Sequence, residues 1–305
     1  MNLQSLINGP VGVSLGILLG KLLTYKAGIR LSQFAAGRLA KMKHTPMVRA
    51  VRVNQWMVSG RSIGGVELDQ QVLNTIKHAA STIYLFNYYN QNSNKMDSLV
   101  NIPDKIDQLL CSVLSPSRGI ILAGIHLGNF DLVMQALARQ FIAPRGLRVL
   151  VLSAPQPGKG YRLQNRIRMR TGLEIIPVSV ASIRQAITTL NEGGIVVTGL
   201  DRPIQDGKYK PFFFGSPAAL PVLHISLALK TGAPVAVVSS FKDMDDHYRF
   251  EISEPIYIKQ ASERHQEIVD NAQVVLATAE QFIRQSPDQW SMFYPVWPQY
   301  LEDSI

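Results

Sequence analysis

From residue 118 onward short apolar runs alternate with helix-patterned stretches, and no other feature constrains the fold as strongly. Apolar runs at 120–125, 148–153, 173–178, 195–200 and 234–241 have the length of buried strands. Between them, 130–141, 161–171, 181–192 and 221–231 carry apolar residues at helical spacing. Strands separated by helices pair in parallel and are covered by those helices, so the class is α/β with a mostly parallel central sheet. The stretch 241–258 reads instead as a hairpin, followed by a long helix over 261–285. An aromatic tail closes the sequence, with Trp290, Phe293, Tyr294, Trp297 and Tyr300 placed either at a membrane interface or packed on the core.

Residues 26–113 read mainly as helix, with Val72, Ile76, Ala79, Ile83 and Phe86 along one face of a helix over 68–88. We therefore expect a helical, membrane-associating N-terminal region (1–114) packed on an α/β core (115–305), the whole forming one structural domain. Of the 305 residues, 46% are hydrophobic and 17% charged, which suffices for a full core and excludes a disordered or collagen-like chain. The lone cysteine, Cys111, excludes an intrachain disulfide and reads as buried packing between Leu110 and Val113.

The formal net charge of +9 is unevenly distributed. Nine basic residues precede the first acid, Glu67, and a second acid-free stretch over 132–173 holds Arg139, Arg145, Arg148, Lys159, Arg162, Arg166, Arg168 and Arg170. Segregated charge creates a field felt by anionic partners. The apolar segment 11–25 falls short of the ~20 residues of a spanning helix, and Gly12, Gly16 and Gly20 line one of its faces. An apolar helix followed by a basic belt fits a segment lying among anionic lipid headgroups; a core helix packed on the protein itself is the alternative. Zinc-finger cysteines and an RNA-recognition signature are missing, so nucleic acid is not expected as a partner.

The first strand of the alternating region ends in Ile125-His126-Leu127-Gly128-Asn129-Phe130-Asp131. Ligands of open α/β sheets bind beyond the carboxyl ends of strands. With Gly128 bending the chain, the Asp131 carboxylate is expected to reach one imidazole nitrogen of His126, fixing the tautomer and leaving the other to take a proton from a hydroxyl. That is a general-base pair without a serine nucleophile. Nucleophile-elbow, zinc-protease, dinucleotide and P-loop motifs are all missing from the sequence.

These residues resemble the H-x4-D/E acyltransferases of the lysophospholipid acyltransferase superfamily. Within it, the block from His126 to Asp131 is similar to the H-x-G-N-W-E block of the lipid A lauroyl/myristoyl acyltransferase family, which includes phosphatidylinositol mannoside acyltransferases. Phe130 and Asp131 stand where Trp and Glu are usual. Further blocks agree in order: Asn165 to Gly172, rich in arginine; Gly199-Leu200-Asp201-Arg202; Pro211 to Ala219; and Leu227 to Val235.

The resemblance implies a membrane-associated O-acyltransferase taking a fatty acyl group from acyl-CoA or an acidic acyl carrier protein to a hydroxyl of a glycolipid or lysophospholipid. His126 is then the base, Asp131 its orienter and Asp201 a residue shaping the site, with the oxyanion donors supplied by Arg168 or by backbone N–H groups after His126. Gly128, Asn129, Arg166, Arg170 and Arg202 are expected at the substrates. No metal or bound cofactor is required, and the expected location is the cytoplasmic face of the inner membrane, peripheral or monotopic. A thioesterase using water, or a non-catalytic membrane lipid-binding protein on the same fold, are the alternatives.

Overall fold

The structure is a computed structural model and describes residues 9–302 apart from 91, 92, 206 and 244. Four helices come first: α1 (Pro10–Leu22), α2 (Tyr25–Ala40), α3 (Pro46–Val58) and α4 (Gly65–Tyr89). Prolines open α1 and α3, at a position where the missing N–H costs nothing. The short α5 (Ser93–Asp97), β1 (Val100–Asn101) and α6 (Asp104–Val113) lead into the alternating region. There the order is β2 (Ile120–Gly124), α7 (Phe130–Leu137), β3 (Val149–Ser153), α8 (Lys159–Arg168), β4 (Glu174–Pro177), α9 (Val180–Asn191) and β5 (Ile195–Gly199). A small antiparallel pair, β6 (Phe212–Phe213) and β7 (Ser216–Pro217), precedes α10 (Leu223–Thr231), β8 (Val235–Lys242), β9 (Tyr248–Ile252) and α11 (Arg264–Gln285).

Seven strands form one sheet in the order β1-β9-β8-β2-β5-β3-β4. All neighbours are parallel except β8 and β9, the expected hairpin. The turn into β8 is set locally. Gly232, at φ 71°, ends α10 with its N–H on the Ala228 carbonyl, and Pro234 forbids further helix.

Side chains alternate along each strand, so each face of the sheet has its own cluster. Ile121, Ala123, Leu150, Val196 and Val237 pack with α3, α9, α10, α11 and the aromatic tail. Ile120, Leu122, Val149, Ile195 and Val238 face α4, α6 and α7. Trp290 and Trp297 are fully buried, so these two tail aromatics belong to the core and not to an interface.

Cys111 departs from expectation, since it is exposed. Ile106, Leu110 and Val113 form the buried stripe of α6, and Cys111 sits one position off that stripe with its Sγ 3.7 Å from Asp107 Oδ1.

The glycine face of α1 packs on the protein. A Cβ at Gly20 would lie 2.7 Å from the Asn87 carbonyl carbon on α4, a contact only glycine permits. The opposite face leaves Val11, Leu15, Leu18 and Leu22 about half or more exposed. No helix among the described residues is long and apolar enough to cross a membrane.

Candidate active site

β2 and β5 are neighbours in register, Gly124 opposite Gly199. His126 and Asp201 each follow that glycine pair by two residues, so they emerge side by side at the carboxyl edge of the sheet. The Leu200 N–H donates to the Gly124 carbonyl (2.9 Å) and carries the pairing one step further.

Nδ1 of His126 lies 2.7 Å from Asp201 Oδ1, and the His126 backbone N–H donates to Oδ2 at 2.8 Å. The Trp290 indole Nε1–H donates to the same Oδ2 at 2.8 Å. Asp201 has no exposed surface. Burial alone would raise its pKa, but the His126 imidazole and the three N–H donors hold it below the usual carboxylate range. An ionised carboxylate there keeps the proton on Nδ1 and leaves the Nε2 lone pair free to accept one. The His126 side chain is 29% exposed, with the Phe130 ring edge-on at 4.9 Å.

The expected contact between Asp131 and His126 is not formed. Asn129 caps α7 immediately after the bend, accepting the Leu132 N–H (3.2 Å), so Asp131 falls in the first helical turn and faces α8. There Arg168 takes it: Nη2 donates to Oδ2 at 2.8 Å and Nε lies 2.6 Å from Oδ1. Nη1 of the same guanidinium donates to Asn165 Oδ1 (2.8 Å), and the group lies 5.3 Å from the Tyr161 ring. Burial opposes the charge on Arg168, yet the adjacent Asp131 carboxylate outweighs it and moves its pKa up. Arg168 therefore spends its fork on Asp131 and Asn165, which ties α8 to the start of α7.

Gly128 adopts φ 63°, and a Cβ on it would lie 2.2 Å from the Ser240 carbonyl oxygen. Asn129 is fully buried, and its Nδ2 reaches the Thr82 carbonyl of α4 at 3.5 Å. Both residues shape the loop behind the imidazole. Arg166 and Arg170 are exposed on the outer side of the α8 region. Arg202 donates to Tyr294 Oη (2.7 Å) and lies over that ring.

His126, Asp131, Arg168 and Arg202 all line one cavity of about 630 Å³. It runs between the sheet and α7, along β5 from Gly199 to Ile195, and reaches Ile106 and Phe141. Its walls are otherwise mostly apolar, which suits a small-molecule or acyl-chain site of ordinary size. Among the described residues no group of three His, Cys, Asp or Glu side chains is placed to hold a metal.

Two features escaped the sequence reading: Asp201 is the partner of His126, and Trp290 touches that partner. The signal for the first was the shared offset of two residues after a strand-ending glycine. It becomes readable only once β2 and β5 are known to be neighbours.

The family model described as bacterial lipid A biosynthesis acyltransferase matches residues 98–299, which contain the sheet, the cavity, His126, Asp201 and Trp290. No curated protein matches the chain. With two thirds of its length in that match, the chain belongs to the bacterial lipid A biosynthesis acyltransferase family and is an acyltransferase acting on lipid substrates.

Proposed function

We propose that this acyltransferase moves a fatty acyl group from a thioester donor, acyl-CoA or acyl carrier protein, to a hydroxyl of a glycolipid or lysophospholipid at the cytoplasmic face of the inner membrane. The observation that carries this reading is His126, held by Asp201 at the wall of a long apolar cavity. The acyl chain lies in the cavity with its thioester carbonyl near Nε2. As the acceptor oxygen bonds to that carbonyl carbon, its proton passes to Nε2. The tetrahedral adduct then collapses with cleavage of the C–S bond, and the thiolate leaves with the proton. Asp201 keeps the tautomer fixed and stabilises the transient imidazolium. Arg202, on the cavity wall, is the cation we assign to the substrate.

Membrane docking is supported by the outward stripe of α1, Val11, Leu15, Leu18 and Leu22, continued by the exposed Phe34 on α2. Exposed Lys21, Lys26, Arg30 and Arg38 flank it. Apolar anchors ringed by cations match an anionic headgroup layer. The double variant Leu15→Glu, Leu18→Glu should lose sedimentation with vesicles containing anionic lipid while remaining folded. Undiminished sedimentation refutes the docking face.

The reaction is tested by offering labelled acyl-CoA and acyl carrier protein with a panel of glycolipids and lysophospholipids, and identifying the products by mass spectrometry. A new acylated lipid that requires His126 supports the proposal. Free fatty acid alone would mean that water is the acceptor.

A further inference from the structure

The geometry points to Trp290 as a positioning residue for the His126–Asp201 pair, an assignment that rests on the general-base reading above. The segment carrying Trp290 runs antiparallel beside the loop after β2, with Leu127 opposite Trp290. The Gly128 N–H donates to the Gln289 carbonyl (3.1 Å) and the Ser291 N–H donates to the His126 carbonyl (2.8 Å). The Gln289 side chain anchors the segment to β8, accepting the Lys242 N–H (2.8 Å) and donating to the Lys242 carbonyl (3.0 Å). From this anchored stretch the indole reaches Asp201 Oδ2 at 2.8 Å.

One short segment thus holds the backbone of His126 and the carboxylate that orients its ring. Oδ2 receives two donors, the His126 N–H and the Trp290 Nε1–H, and Oδ1 is left to Nδ1. A carboxylate with one oxygen doubly held cannot rotate away from the imidazole. The indole is also an uncharged donor, so it stabilises the anion without competing as a cation for the same oxygens. Phe213 packs edge-on to the indole at 6.1 Å and Phe214 lies at 6.3 Å, so the ring itself is seated independently of its N–H.

The test compares Trp290→Phe, which keeps an aromatic ring and loses the donor, with the wild type in the acyl-transfer assay. The expected result is a roughly 10–100-fold fall in kcat with KM unchanged, the effect of one hydrogen bond to a charged group. The acid limb of the kcat/KM profile should move to higher pH, because a carboxylate short of one donor holds the pair's proton more tightly. On a His126→Ala background, adding Trp290→Phe should leave the residual rate unchanged; a packing role would multiply the losses. A kcat within about twofold of wild type with an unshifted profile, or multiplying losses, overturns the assignment. If Trp290→Phe does not fold, 3-benzothienylalanine at position 290 keeps the indole's shape without the N–H and gives the same readouts. Full activity of His126→Ala would sink the general-base reading itself and this inference with it. An inactive His126→Ala beside a normal Trp290→Phe overturns the positioning role alone.

Discussion

On one face of the sheet Trp290, Trp297 and Phe213 fill the space between strands and helices, with the Phe213 and Trp297 rings stacked at 5.6 Å. On the other face, residues of the same chemical character leave a cavity of about 630 Å³ beneath α7. Apolar walls do not close on themselves when stiff strands and a capped helix hold them apart, and such space is receptive to apolar ligands. The difference teaches where rigidity is used. The solid face fixes Asp201 through Trp290, the hollow face is where the proposal seats the acyl chain, and His126 stands at the seam.

Breaking the seam should have the largest effect. His126→Ala is expected to lower the acyl-transfer rate by about 10²–10⁴-fold, with unfolding midpoints close to wild type. Asp131→Asn should separate the two carboxylates. It leaves the Asp201 contact in place and strips a buried arginine of its partner, so the main loss falls on stability, about 3–5 kcal/mol. A rate loss from Asp131→Asn as large as that of His126→Ala, without loss of stability, would reinstate Asp131 as the orienter.

On the solid face, Trp297→Ala should cost about 3–5 kcal/mol in denaturant unfolding, because nothing there can collapse into the space. A smaller effect follows from His224, fully buried in α10 with neither ring nitrogen bonded to a described residue. Burial pushes its pKa down from 6.5 to about 4. Between those values the unfolded chain binds a proton that the native protein refuses, so stability falls with falling pH, by up to about 3 kcal/mol at the acid end. Urea titrations at pH 7 and 4.5 should show a shallower loss for His224→Leu than for the wild type.

The hollow face should answer differently. Val197→Phe adds a ring to the cavity wall and is expected to change stability by no more than about 1–3 kcal/mol. The preferred acyl chain should shorten. Ile195→Phe, two residues deeper along β5, should shorten it less. Equal chain profiles for both variants and wild type would mean that the acyl chain lies elsewhere.

Much of the fold is readable in the sequence. The β-α alternation and the hairpin at 241–258 carried the sheet, because side-chain periodicity is a local property. That His126 lies just past a strand end was readable from the apolar run before it. Its partner was not, since β5 lies beside β2 only through a strand order that no local pattern encodes. Asp131, five residues from His126, was the nearer candidate, and the Asn129 cap turned it toward Arg168. The cavity was equally hidden, because an apolar residue reads the same whether it touches a neighbour or faces open space. On α1 the glycine spacing was visible, while the choice of Asn87 as the surface it meets depended on how α4 lies.

The bonds from Gln289 and Ser291 to the His126 loop, and from Trp290 to Asp201, also bear on the order of events in time. During synthesis His126 leaves the ribosome first, Asp201 well after it, and Trp290 later still, at ~5–20 residues per second. The contacts that the Gln289–Ser291 segment makes with the His126 loop and with Asp201 can form only after the segment following α11 has been made. On the proposal that α1 docks on lipid and His126 is the base, a nascent chain that already reaches lipid still lacks its oriented base, and acyl transfer waits for the last segment.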